Sequence, residues 1–141
     1  MSQNEIKKIL ARYKTVAIVS LSRALGKDSH RVSAYLKYHG FHIIPVNPFA
    51  DEILGEKSYK NLLHIPPKIQ KTIEIVDILR PSKNVTPIVE QAIKLKAACG
   101  KPNVVWMQLG IVDKKAAETA KKAGLIVVMD KCMMIEHKHC F

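Results

Sequence analysis

Residues 16–20, Val-Ala-Ile-Val-Ser, are apolar except for the last and rich in β-branching. A run with no polar alternation suits a strand covered on both faces, as in a parallel sheet. Four more short segments read as strands, at 42–46, 72–79, 104–107 and 125–129. Between them lie segments with helical spacing. Strands that alternate with helices predict a parallel sheet with helices on both faces and right-handed crossovers.

The connecting signals agree with that order. Residues 3–13 carry Ile6, Ile9 and Leu10 on one side and Lys7, Lys8 and Arg12 on the other. Asp28 or Ser29 suits the cap of a second helix, with Val32, Leu36 and Tyr35 on its core face and Gly40 just past its end. Residues 48–60 read as a loop with a turn at Leu54-Gly55, and 62–68 as a connector through Pro66-Pro67. Pro81 stops the third strand. Asn84 or Thr86 starts a third helix with Pro87 in its first turn and Ile88, Ala92, Ile93 and Leu95 inward. Asp113 caps an alanine-faced helix closed by Gly124, and 131–137 predicts a short last helix with a frayed polar tail.

In an open parallel sheet, ligands bind beyond the carboxyl ends of the strands. The loop after the first strand carries Ser20, Ser22, Arg23, Gly26, Lys27 and Ser29. Hydroxyls, helix N-terminal amides and two cations in one loop suit a phosphate, and the same composition suits a solvated turn with a helix cap. The loop is neither a glycine fingerprint nor a Walker A motif. Strand two ends in Asn47 rather than a carboxylate, which suits a ribose or base carrying extra phosphate better than NAD. Asn47-Pro48 also has the composition of a simple turn.

The net charge is +11, from 23 basic and 12 acidic side chains. A field of that sign favours anionic partners. The lysines are spread along helical segments, four aromatic tyrosines are scattered, and no nucleic-acid signature is visible, so specific nucleic-acid binding is not expected. It stays as the rival reading, with a different nucleotide cofactor as another. No apolar run reaches membrane-spanning length. The polar, acidic start Met1-Ser-Gln-Asn-Glu does not read as a signal peptide, so a cytoplasmic protein is expected. Three cysteines, Cys99, Cys132 and Cys140, argue against a disulfide framework. The tail from Cys132 to Cys140 lacks metal-ligand spacing, and no metal is expected.

Five motifs in order carry a family resemblance. They are Val16-Ala-Ile-Val-Ser-Leu-Ser22 with Lys27-Asp-Ser29, Ile44-Pro-Val-Asn-Pro48 with Glu52-Ile-Leu-Gly-Glu-Lys-Ser-Tyr59, Val76-Asp-Ile-Leu-Arg-Pro81, Val105-Trp-Met-Gln-Leu-Gly110 and Val128-Met-Asp-Lys-Cys132. The chain resembles the stand-alone CoA-binding proteins, whose domain is similar to the N-terminal domain of the succinyl-CoA synthetase α-subunit and of ADP-forming acyl-CoA synthetases. The resemblance implies a Rossmann-like three-layer α/β fold with a mostly parallel five-stranded sheet, forming a single CoA-binding domain over 1–141. It implies coenzyme A, or an acyl-CoA, as the ligand. Ser20, Leu21, Ser22, Arg23, Lys27 and Ser29 would line its pyrophosphate. Asn47, Pro48 and Lys57 would frame the adenosine end, with Lys57 facing the ribose phosphate. Arg80 and Pro81 would border the pantetheine, with Gln108 and Gly110 beyond. Ser20-Leu21-Ser22 stands where the family usually has Gly-Ala-Ser, and a side chain at position 20 limits backbone approach. No nucleophile–base pair is visible and the chain is too short for ligase modules, so the implied role is carrier, sensor or accessory protein without independent catalysis. A homo-oligomer or protein partner is compatible with that role.

Overall fold

The computed structural model describes residues 1–20 and 28–141. Helix α1 (Gln3–Arg12) leads into β1 (Thr15–Ser20). Then come α2 (Asp28–Tyr38), β2 (His42–Val46), the short strands β3 (Glu52–Ile53) and β4 (Glu56–Lys57), and α3 (Pro67–Gln70). The second half runs β5 (Ile75–Leu79), α4 (Val85–Cys99), β6 (Val104–Met107), α5 (Lys114–Lys122), β7 (Ile126–Val128) and α6 (Met133–Cys140). The main sheet has the order β2-β1-β5-β6-β7, and every pairing in it is parallel.

The mostly apolar strands are explained by two cores. On one face Val16, Ile18, Ile43, Ile75, Val104 and Trp106 pack under Ile6 and Leu10 of α1, Leu36 of α2 and Met133 of α6. On the other, Ala17, Val19, Val76, Ile78, Val105 and Met107 pack under Val85, Ile88 and Ala92 of α4 and Ala116, Ala117 and Ala120 of α5. The all-alanine face of α5 lets its backbone lie close to the sheet. Its start is fixed by Asp113, whose side chain accepts from the Ala116 amide at 3.0 Å.

Besides the helical turns at Leu62–His64 and Pro67–Gln70 within and after the expected connector, four details differ from the sequence reading. The strand expected over 72–79 begins only at Ile75, because residues before it close a turn after α3 and Ile73 buries its side chain in the α4-side core. The loop expected over 48–60 contains an antiparallel hairpin, Glu52 opposite Lys57 and Ile53 opposite Glu56. Its turn residues Leu54 and Gly55 both have positive φ, 54° and 76°, the geometry that two-residue hairpin turns demand. On α4 the inward residues are Val85, Ile88, Val89, Ala92 and Leu95, while Ile93 is only partly buried.

The fourth difference is the chain end. α6 reaches Cys140 and is held, not frayed. His137 is buried within a ring cluster built from Tyr35, His39, Phe41 and Phe141, at centroid distances of 5.6, 5.3, 5.5 and 5.0 Å. Gln3 of α1 also reaches Glu136 at 3.3 Å. Alternating polar residues hid this packing, since the histidine supplies the apolar ring.

Candidate functional site

Side chains of adjacent residues on a strand alternate between faces, so register decides which loop residues meet. Val19 pairs with Val46, Ser20 with Leu79, Ile78 with Met107 and Trp106 with Val128. One step onward, Asn47, Ser20, Leu79, Gln108 and Asp130 form a row across the carboxyl ends of β2, β1, β5, β6 and β7. The row lies over the face shared with α2 and α6. Four of its five members are polar, at the edge where the sheet gives way to loops.

Each polar member is fixed by a local bond. Asn47 is fully buried, and its Oδ1 accepts from the Phe49 amide at 2.8 Å. Its Nδ2 points to the Ser20 hydroxyl at 3.4 Å. Asn47 therefore shapes the turn at Pro48 and ties it to the end of β1. The Gln108 Oε1 accepts from the Met133 amide at 3.3 Å, meeting a free donor at the start of α6. The Asp130 carboxylate accepts from the Gly110 amide at 2.7 Å. Gly110 has φ 81°, which a side chain would strain. The β6 and β7 loops are thus locked to each other.

Leu21, Ser22, Arg23 and Lys27, assigned to the phosphate loop by sequence, lie outside the described residues. Ser29 lies in the first turn of α2, and its carbonyl accepts from the Ser33 hydroxyl at 2.7 Å. Ser20 is buried at the end of β1. Pro48 is partly buried behind Asn47. Lys57 stands exposed on β4, its ammonium 5.5 Å from the centre of the Tyr59 ring. The hairpin exit is anchored to β2, since the Tyr59 amide donates to Pro45 and the Asn47 amide donates to Tyr59. Sequence thus brings Ser20, Asn47 and Gln108 into one row, with Gly110 bonded to its far end and Lys57 on an adjoining hairpin.

Arg80 follows β5 and is half-buried; its Nε is buried with no hydrogen-bond partner among the described residues. Burial holds its guanidinium below the usual arginine range. Pro81 beside it is exposed. Arg80 thus puts a partly buried cation just past the carboxyl end of β5, where Leu79 pairs with Ser20 of β1.

Asp77 received no role from sequence reading. It is fully buried in β5 between Ile18 and Trp106, and neither carboxylate oxygen has a partner among the described residues. Burial pushes its carboxyl well above the usual carboxylate range. The visible signal was an acid inside an otherwise apolar strand, Ile75-Val-Asp-Ile-Leu79.

An all-parallel sheet with helices on both faces and a polar row at its carboxyl ends defines a Rossmann-like ligand-binding domain. The chain belongs to the CoA binding domain family, which matches residues 14–138. It is 37% identical over 136 residues to the uncharacterized protein YneT of Bacillus subtilis, covering 96% of this chain and 94% of that one. It is 28% identical to the ADP-forming acetate–CoA ligase of Methanocaldococcus jannaschii, covering 94% of this chain but 19% of the ligase. A hypothetical protein from Pyrococcus horikoshii has a solved structure that superposes with TM-score 0.87 at 39% identity, covering 99% of this chain and 92% of that one. Among the described residues, no helix is long and apolar enough to cross a membrane.

Proposed function

We propose that the protein binds coenzyme A or an acyl-CoA across the carboxyl ends of β1, β2, β5 and β6, as carrier, sensor or accessory protein. The polar row on a CoA binding domain carries this reading. In it, Ser20, Leu21, Ser22, Arg23, Lys27 and Ser29 take the pyrophosphate at the start of α2. Pro48 and Lys57 take the adenosine end, while Asn47 works by shaping the turn that presents them. Arg80 and Pro81 border the pantetheine, and Gln108 with Gly110 close its far side. The match to only 19% of a ligase supports transfer of binding rather than of the ligase reaction. The basic balance supports an anionic ligand and also keeps nucleic acid as the rival.

Thermal melts test this directly. A ligand at 100 times its dissociation constant adds about 2.7 kcal/mol to stability. CoA should raise the melting temperature more than NAD or ATP at equal concentration. No shift at millimolar CoA, with mass spectrometry showing no ligand carried through purification, would refute the reading.

A further inference from the structure

We propose that Lys37 is a positioning residue that clasps the β3–β4 hairpin to α2, and that this clasp sets the preference for CoA over its 3′-dephospho form. The inference rests on the CoA reading above and on Lys57 facing the ribose phosphate. The Lys37 ammonium donates to the Leu54 carbonyl at 2.6 Å and pairs with Glu56 at 2.9 Å. One cation in the last turn of α2 therefore grips the hairpin on both sides of Gly55. Leu54 has φ 54°, a conformation that a leucine disfavours. A charge-assisted bond to its carbonyl supports that turn where the backbone needs support.

The geometry gives the clasp its consequence. Glu56 and Lys57 are neighbours on β4, so their side chains leave on opposite faces. When Glu56 is held toward α2, Lys57 is turned away from it. The other end of the hairpin is fixed by the Ser58 amide on the Asp51 carbonyl and the Tyr59 amide on the Pro45 carbonyl. Lys37 is the grip on the turn end. α2 starts at Asp28, directly after the proposed phosphate loop, so the clasp joins the elements proposed for pyrophosphate and ribose phosphate. The Lys37 and Glu56 side chains are 41% and 32% exposed, and exposed ion pairs contribute little to global stability. A positional effect therefore separates from a folding effect.

The test is Lys37→Met, with Lys37→Arg as the conservative variant. Calorimetric titration of CoA and 3′-dephospho-CoA should show the CoA preference of Lys37→Met falling by about tenfold, the loss of roughly one charged hydrogen bond. Affinity for 3′-dephospho-CoA and the melting temperature should hold, and Lys37→Arg should recover the preference. Hydrogen exchange without ligand should quicken at residues 53–57 in Lys37→Met and stay unchanged in the main sheet. Unchanged exchange in the hairpin overturns the clasp whatever the ligand. Quickened exchange with equal losses for both ligands overturns its role in discrimination. A wild-type protein that binds neither ligand refutes the CoA reading, and the discrimination role falls with it.

Discussion

The hydroxyl of Tyr35 lies 2.8 Å from Nδ1 of His137, joining α2 to the last helix above one face of the sheet. Burial, then the positive charges of His39 and Lys14, hold the His137 imidazole below its ordinary value. The folded chain therefore resists a proton that the unfolded chain accepts near pH 6.5. Stability should be full above that pH and fall as pH drops through it toward the lowered folded value. Urea midpoints between pH 5 and 8 measure this, and His137→Gln should flatten the slope. Tyr35→Phe should cost about 1 kcal/mol at pH 8, the net value of one hydrogen bond.

Asp77 runs the other way. Its folded carboxyl holds a proton that an unfolded aspartate releases near pH 3.9. Stability from this group is complete below that pH and declines as pH rises toward the raised folded value. Asp77→Asn keeps the shape and removes the titration. The variant should be more stable than wild type at pH 7 and should show no such decline. A variant less stable at pH 7, with the wild-type pH slope intact, would assign the carboxyl a hidden partner.

Lys57 separates charge recognition from general attraction. In Lys57→Ala, CoA affinity should fall by about tenfold or more, the equivalent of a charged hydrogen bond. Binding of 3′-dephospho-CoA should be nearly unchanged. Parallel titrations of both ligands decide it, and equal losses would reduce Lys57 to part of the basic field.

Salt distinguishes the two readings of the charge. Nucleic acid held by spread-out lysines should bind without sequence preference and weaken steeply from 50 to 200 mM salt, as counterion release dictates. CoA should weaken less, because adenine and pantetheine burial adds non-ionic terms. Sequence-selective nucleic-acid binding that survives 200 mM salt would favour the rival.

The sheet was legible because each strand is short and mostly apolar on both faces, with Asp77 in β5 the interior exception. The row Asn47, Ser20 and Gln108 was legible in type, as polar residues at strand ends. Its internal bonding was not. Asn47 spends its oxygen on Phe49, a choice that depends on the turn's geometry rather than on spacing. The β3–β4 hairpin escaped because strands of two residues carry no period, and Leu54 in a positive-φ position gives none of the usual Asn-Gly signal. The clasp by Lys37 joins residues seventeen positions apart. Lysine in the last turn of a helix reads as solvated surface until the partner is seen. His137 escaped for a related reason, since its ring packs as an apolar body within a polar stretch.

Pro45 is buried inside β2, at the outer border of the sheet, and its backbone nitrogen and carbonyl lie on the side away from β1. Its carbonyl and the Asn47 amide are already taken by Tyr59. The ring removes a donor where no ladder to β1 needs one. A foreign strand arriving on that side meets a missing hydrogen, a blocked oxygen and a blocked amide in succession. The border nearest the proposed adenosine loop is thereby closed to fibre growth. Replacing Pro45 with valine would restore one donor, while Tyr59 would still cover the neighbouring carbonyl and amide.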